Sequence, residues 1–194
     1  MKIKNILMGL VATMVLVACG GGDYSPKPQA YLRIDLPEQH FSPVDSLPLP
    51  FLFEKNDAAE LILKKDTPNE VWVDINYPQW DGVVFLTYRR LHKPDDLRGQ
   101  TDTSTRLLEK HYQFASGIDE QVFESDDHTV HAVKWHLKGK NVASTYQFYA
   151  TDSTHHFLRG AVYINHAPNN DSLAPVLDYM HRDLDHLIET LRWR

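Results

Sequence analysis

The sequence predicts an α+β domain: a mostly antiparallel β-sheet flanked by two main helices. Three observations carry this reading. The element order is strands, helix, strands, helix. Turn-forming residues separate successive strand segments by a few positions, as hairpins require. The chain ends on a long segment with helical hydrophobic spacing.

The domain begins near Ala30. Tyr31 to Leu36 alternates, with Leu32, Ile34 and Leu36 on one face, and Pro37 stops it. Five prolines between Pro37 and Pro68 make that stretch a poor home for central strands. Phe51 to Glu54 reads as a short edge strand. Val71, Val73, Ile75 and Tyr77 share one face of the next strand. Asp81-Gly82 turns the chain into Val83–Arg90, which is β-branched and aromatic on both faces and therefore more central. From Thr103 to Ala115 the period changes. Leu107, Leu108, His111, Tyr112 and Ala115 fall at helical spacing, with Asp102 or Thr103 as the cap.

Asp126-Asp127 turns a hairpin between Gln121–Ser125 and Thr129–Leu137. Lys138–Asn141 leads into Val142–Ala150, and Thr151–Thr154 into His156–Asn165. Gly160, inside that last strand, suits a bulge or a close backbone approach. In the closing helix Leu173, Val176, Leu177, Met180, Leu184, Leu187, Ile188 and Leu191 form one stripe, with Asp171 or Ser172 as the cap. Such a stripe must lie on an apolar surface, and a sheet face is the partner at hand.

Ahead of the domain stand Lys2, Lys4 and an apolar run from Ile6 to Val17. The run is shorter than the about 20 residues that span a bilayer. It ends in Leu16-Val17-Ala18-Cys19, a lipobox containing the only cysteine of the chain. The reading is a signal peptide over 1–18, a diacylglycerol thioether on Cys19, a tether over 19–29 and a single α+β domain over 30–194. The amine freed by cleavage takes a further acyl chain such as palmitate. Two or three acyl chains hold far better than one, at about 0.8 kcal/mol per buried CH₂. Gly20, not Asp, follows the cysteine, which favours the outer membrane over inner-membrane retention. Net charge is −6, with no clustered basic face for nucleic acid. The expected membrane contact is the lipid alone.

The chemistry-bearing residues do not converge. The eleven histidines include no H-E-x-x-H and no Cys/His spacing; His181 and His186 point apart around one helix. Ser153, in Thr151-Asp152-Ser153-Thr154, lacks a G-x-S-x-G setting and reads as a turn residue. Asp126-Asp127 reads as a solvated turn. The expectation is a protein that is no enzyme, with no catalytic set, no cofactor and no metal. Trp72 and Trp135 read as core residues. Trp80 sits at a turn, as a partner anchor or a cover over the sheet end. Arg159 shares parity with Phe157, Ala161 and Tyr163, so it is paired with a carboxylate or rims a contact surface.

Thr151-Asp152-Ser153-Thr154-His155-His156-Phe157-Leu158-Arg159-Gly160-Ala161-Val162-Tyr163 resembles the TDST-x-HFLRGALYF block of the gliding-motility lipoprotein GldD family of Bacteroidota. Asn169 through Trp193 resembles that family's C-terminal helix, and Ala30–Pro37 its entry segment. The resemblance implies an outer-envelope lipoprotein that serves the gliding motility and type IX secretion machinery through protein–protein contacts. Its partners would be other gliding and secretion envelope proteins, and the membrane through the lipid on Cys19. The family supplies no catalytic residues to carry over. The element order also resembles a Mog1/PsbP-like α/β/α sandwich, which carries no function by itself.

The candidate contact surface is the Phe157–Tyr163 strand, the Ala167–Asp171 loop and the Tyr77–Trp80 turn, with Trp80, Arg159, Tyr163 and Asn169 as its residues. The rival readings are an envelope-anchored metal-binding protein or hydrolase, needing histidines and acids in one cleft, and a small-ligand binding module, needing a large pocket.

The lipobox generates a direct prediction. Cys19→Ala leaves the signal peptide uncut and takes up no radiolabelled palmitate, seen as a slower, unlabelled band. Normal processing of that variant would refute the lipidation reading.

Overall fold

The computed structural model describes residues 34–194. Cys19, the tether and the start of the Tyr31–Leu36 segment lie outside the described residues. Three short strands come first: β1 (Phe41–Pro43), β2 (Phe51–Leu52) and β3 (Glu54–Asn56). Then follow β4 (Glu60–Thr67), β5 (Glu70–Tyr77), β6 (Gly82–Arg90), helix α1 (Pro94–Glu109), β7 (Gly117–Glu124), β8 (His131–Lys138), β9 (Tyr146–Thr151), β10 (His156–Ile164), helix α2 (Asn170–Thr190) and β11 (Arg192–Trp193).

Seven strands form one antiparallel sheet in the order β4-β5-β6-β10-β9-β8-β7. Two meanders thus meet at β6 and β10, and α1 carries the chain from the middle of the sheet to its far edge. Small two-stranded pairings, β1 with β3 and β2 with β11, fasten the N-terminal segment and the C-terminus.

Strand parity sorts the side chains into two faces. One face gathers Val71, Val73, Ile75 and Tyr77 of β5, Leu86 and Tyr88 of β6, Leu158 and Val162 of β10 and Phe148 of β9, all buried. The α2 stripe packs on it, with Val176, Met180, Leu184, Leu187 and Ile188 buried in the same cluster. Val44, Leu49, Phe51 and Phe53 of the N-terminal segment complete this core. Each such side chain contributes about 1.5–3 kcal/mol when fully buried. The other face carries a smaller cluster, in which Leu108 of α1 meets Trp135, Leu137 and Val142.

Several expectations need correction. Ile34 to Leu36 is not a strand, although Ile34 and Leu36 do pack against the core. Phe51–Glu54 is interrupted at Phe53, and its halves belong to two different small sheets. β4 fills the proline-free interval before Pro68, as an edge strand. Helix α1 begins at Pro94, not near Thr103. Pro94 suits a first helical position, and the Asp96 carboxylate accepts the His92 and Lys93 amides at 2.9 and 3.2 Å. It stops at Glu109, and Tyr112–Phe114 forms a separate 3₁₀ turn. β7 begins at Gly117, four residues before the expected Gln121. β9 begins at Tyr146, because Val142 turns into the smaller cluster. Asn169, not Ser172 or Asp171, precedes α2.

Gly160 makes the predicted close approach without a bulge. The β10–β6 register is unbroken, and a Cβ at Gly160 would lie 2.0 Å from the Phe148 ring. Phe148 is wholly buried and has nowhere to retreat. Gly160→Ala should therefore destabilise the domain by about 1–3 kcal/mol, read as a lowered urea midpoint. An unchanged midpoint would mean that Phe148 repacks freely.

A buried carboxylate holds the layers together. Asp183 of α2 accepts hydrogen bonds from Tyr77 Oη of β5 at 2.7 Å, Asn56 Nδ2 of β3 at 3.0 Å and Gln39 Nε2 at 2.5 Å. Burial pushes its pKa up, and these three donors oppose the rise. Asn56 also donates to Tyr179 Oη at 2.8 Å.

Next to this core, His181 of α2 meets Thr145 Oγ1 at 2.8 Å, with the His136 ring at 5.3 Å and Tyr146 at 5.2 Å. Asp185, paired with Lys134 and Tyr146 at 2.7 Å each, flanks them. Burial lowers the His181 pKa to about 4, and the neighbouring His136 adds to the effect. His136 is lowered by burial too, and its Nε2 has no hydrogen-bond partner among the described residues.

The sign of the pH dependence follows. Above about pH 6.5 both folded and unfolded forms hold a neutral His181. As pH falls from there toward 4, the unfolded chain takes up the proton first and stability is lost, by about 3 kcal/mol at most. The urea midpoint should drop over that window, and His181→Gln should flatten the drop. A midpoint as pH-dependent in His181→Gln as in wild type would contradict the assignment.

Candidate functional site

The four residues singled out from the sequence do not form one surface. Trp80 lies in the 3₁₀ turn Pro78–Trp80, its ring 6.0 Å from Tyr77 and 5.0 Å edge-on from Tyr179. It covers the α2 side of the core. Asn169 is exposed ahead of α2, where its Nδ2 donates to Ser172 Oγ at 3.0 Å. The turn after Trp80 and the loop after β10 do meet, through Asn165 Nδ2 and Asp81 Oδ1 at 3.0 Å.

Arg159 and Tyr163 lie on the opposite face of β10. Arg159 donates to Gln147 Oε1 at 2.7 Å, and no described carboxylate is within ion-pair distance of it. Burial lowers its pKa from the usual arginine value. Tyr163 is half-buried between the Phe85 ring at 5.5 Å and the His111 ring at 6.4 Å. Of the four, only Arg159 and Tyr163 share a neighbourhood, at the border of α1.

That border opens onto a surface the sequence reading missed. Seven strands make a sheet about 29 Å wide at about 4.8 Å per gap, and one helix covers about 10 Å of it. Helix α1 lies over β9 and β10. Over β4, β5 and β6 no described element covers the face. Ile62, Trp72 and Phe85, on three adjacent strands, are 37%, 42% and 41% exposed. Trp72 is therefore not the core residue that was expected, whereas Trp135 is buried. A shallow groove of ≈ 460 Å³ runs along Lys64, Trp72, Asp74, Phe85 and Thr87.

One buried carboxylate organises this face. Glu70 accepts from Trp72 Nε1 at 2.8 Å and pairs with Arg89 at 2.5 Å and with Lys65. Burial would raise its pKa, but the hydrogen bonds from Lys65 and Trp72 and the charges of Arg89 and Lys65 outweigh it and hold the carboxyl low. Lys65 Nζ stands 4.8 Å over the Trp72 ring. Lys64 and Asp74 pair at 3.6 Å. The indole is thus held in place before any contact, which reduces the ordering cost of binding. Three cations, Lys64, Lys65 and Arg89, stand against two carboxylates, Glu70 and Asp74, although the chain as a whole is at −6.

One polar cluster lines a cavity, and its two acids are each held by their own turns. Among the described residues no three His, Cys, Asp or Glu side chains could hold a metal ion. Asp152 accepts the amides of Thr154, His155 and His156 at 2.8–2.9 Å, which holds its pKa at about 2 against burial. Ser153 next to it sits at φ 67° in that turn. A cavity of ≈ 490 Å³ lies beside Asp127, Asp152, His156 and Arg192. Asp127, held at about 2 by Ser125 and Thr129, is likewise committed to its own loop.

The described residues thus form an α+β domain with one sheet face closed by a helix and the other half open and aromatic. The sequence model of the family described as gliding motility lipoprotein GldD matches residues 21–193, and the chain belongs to that family. None of the curated proteins compared with it matches. Among the described residues no helix is long and apolar enough to cross a membrane.

Proposed function

We propose that this lipoprotein is an accessory or assembly component of the gliding motility and type IX secretion machinery, acting through protein–protein contacts and not as an enzyme. The observation that carries the reading is the open face at Ile62, Trp72 and Phe85, with its indole locked by Glu70. Adjacent exposed apolar side chains beside paired charges are what a contact surface presents. A pre-positioned tryptophan is a common anchor of such surfaces.

The lipid on Cys19 confines the domain beside other envelope proteins of the outer membrane, and the tether raises their effective concentration. Tyr163 and Arg159 lie at the edge of this surface. Trp80 and Asn169 lie outside it and keep no assigned contact.

Trp72→Lys together with Phe85→Lys tests the reading. Trp72→Lys removes the indole hydrogen bond to Glu70 and should cost about 1–3 kcal/mol, so Phe85→Lys alone, which breaks no hydrogen bond, is measured beside the double variant. Crosslinking in native envelopes should lose the gliding or secretion partners that wild type captures, and secretion should fall with them. A variant of normal abundance that secretes like wild type would sink the surface assignment. Loss of partners in Cys19→Ala but not in the double variant would leave only the lipid as the functional element.

A further inference from the structure

The seven-stranded sheet ends in two edges, β4 and β7, and they differ. The β4–β5 register shifts between Leu63 and Lys65, and Lys64 and Lys65 stand at the irregularity. Bulges and lysines are the devices by which an edge resists pairing. β7 has neither. It pairs with β8 over all of Gly117–Glu124 without a shift and contains no Pro, Lys or Arg.

The ladder phase shows which backbone groups are unpaired. Ser125 N–H donates to Val130 O at 2.9 Å, in register with the β7–β8 pairs. Hydrogen-bonded positions alternate along an antiparallel pair. Phe123, Gln121 and Asp119 therefore bond toward β8, and Glu124, Val122, Glu120 and Ile118 turn their N–H and C=O groups outward. Among the described residues no strand takes that side. Val122, at the middle of the row, is 77% exposed. An unguarded row of donors and acceptors around an exposed β-branched side chain is a template for one more strand.

We propose that the β7 edge receives an extended segment of a partner protein, apolar and basic in composition, as an eighth strand of the sheet. The charge is set by Asp119, Glu120 and Glu124, with no cation on β7 itself. Glu120 accepts from the neutral Trp135 indole at 2.7 Å, so its charge is not neutralised there. Glu124 faces His128 at 2.7 Å and His131 at 3.5 Å, and Asp119 meets Lys138 at 2.6 Å. Lysines or arginines on the added strand would sit against these acids, with an apolar residue against Val122. The β7 edge of a second copy would set acids against acids, which disfavours self-pairing there. This surface lies at the opposite edge of the sheet from Trp72, so it stands or falls apart from the aromatic face.

The test uses the full-length chain in detergent and two labelled synthetic peptides, one repeating Lys-Thr-Val-Thr and one repeating Glu-Thr-Val-Thr, so that charged and apolar residues alternate along the single face that meets Glu120, Val122 and Glu124; binding is followed by fluorescence anisotropy. The Lys-Thr-Val-Thr peptide should bind, the Glu-Thr-Val-Thr peptide should not, and the amides of Glu120, Val122 and Glu124 should gain protection from hydrogen exchange. Val122→Pro removes an outward N–H and no ladder bond, so the fold should persist while binding weakens by about tenfold or more. Should Val122→Pro melt early, Val122→Lys keeps the backbone intact and should show the same loss through charge repulsion. Trp72→Lys should leave peptide binding unchanged. Equal binding of both peptides, or undiminished binding by the Val122 variants, would overturn the proposal. Self-association that Val122→Pro abolishes, with no peptide affinity, would also overturn it and make a second copy the occupant.

Discussion

The carboxylate of Asp183 is the point on which the layers of this domain depend. It sits on the sheet-facing side of α2 and accepts donors from β5, from β3 and from the segment at Gln39. Apolar packing alone would let α2 slide along its stripe, because dispersion contacts are individually weak and non-directional. Three hydrogen bonds converging on one buried group set the helix's position along the sheet. They also hold the N-terminal segment against the helix, where Phe41 stacks on His186 at 3.8 Å and Glu54 meets His186 at 2.7 Å. A buried carboxylate lacking those donors would be strongly destabilising, so the network is coupled as a unit.

The closed face and the open face follow from the same economy of elements. Helix α2 and the N-terminal segment together cover one side of a wide sheet. Only α1 is left for the other side, and its first half is polar, with Asp95, Asp96, Arg98 and Asp102. It seats Leu108 over Trp135 and Leu137 and lies chiefly over β9 and β10. What remains uncovered is not left loose. Glu70 gathers Lys65, Arg89 and the Trp72 indole in the manner of Asp183. One carboxylate organises the interior and the other holds the Trp72 indole on the open face.

Family membership gives this geometry its setting. A lipoprotein domain anchored at a membrane explores a thin layer beside it, so modest contacts become effective. In this domain Asp127 and Asp152 bond within their own turns, and the half-buried pair His136 and His181 packs against Tyr146 and Thr145.

By itself the sequence determined the α+β class, the amphipathic α2 stripe, the hairpin turns at Asp81 and Asp152, the close approach at Gly160 and the family. These are local or pairwise properties: period, turn chemistry, and a missing Cβ inside an alternating run. Parity also placed Arg159 and Tyr163 on one face, and it placed Trp72 opposite Val71 and Val73. Tertiary structure decided which of the two faces would be covered. Periodicity states that a side chain points to a face but not whether anything lies on that face, so Trp72 read as core and is exposed. The early start of α1 was hidden because its first half buries almost nothing and shows no stripe. The neighbourhoods of Trp80 and Asn169, the convergence of Gln39, Asn56 and Tyr77 on Asp183, and the choice of β4 and β7 as edges all depend on strand order. That order is set by long-range pairing of β6 with β10, which no local spacing encodes.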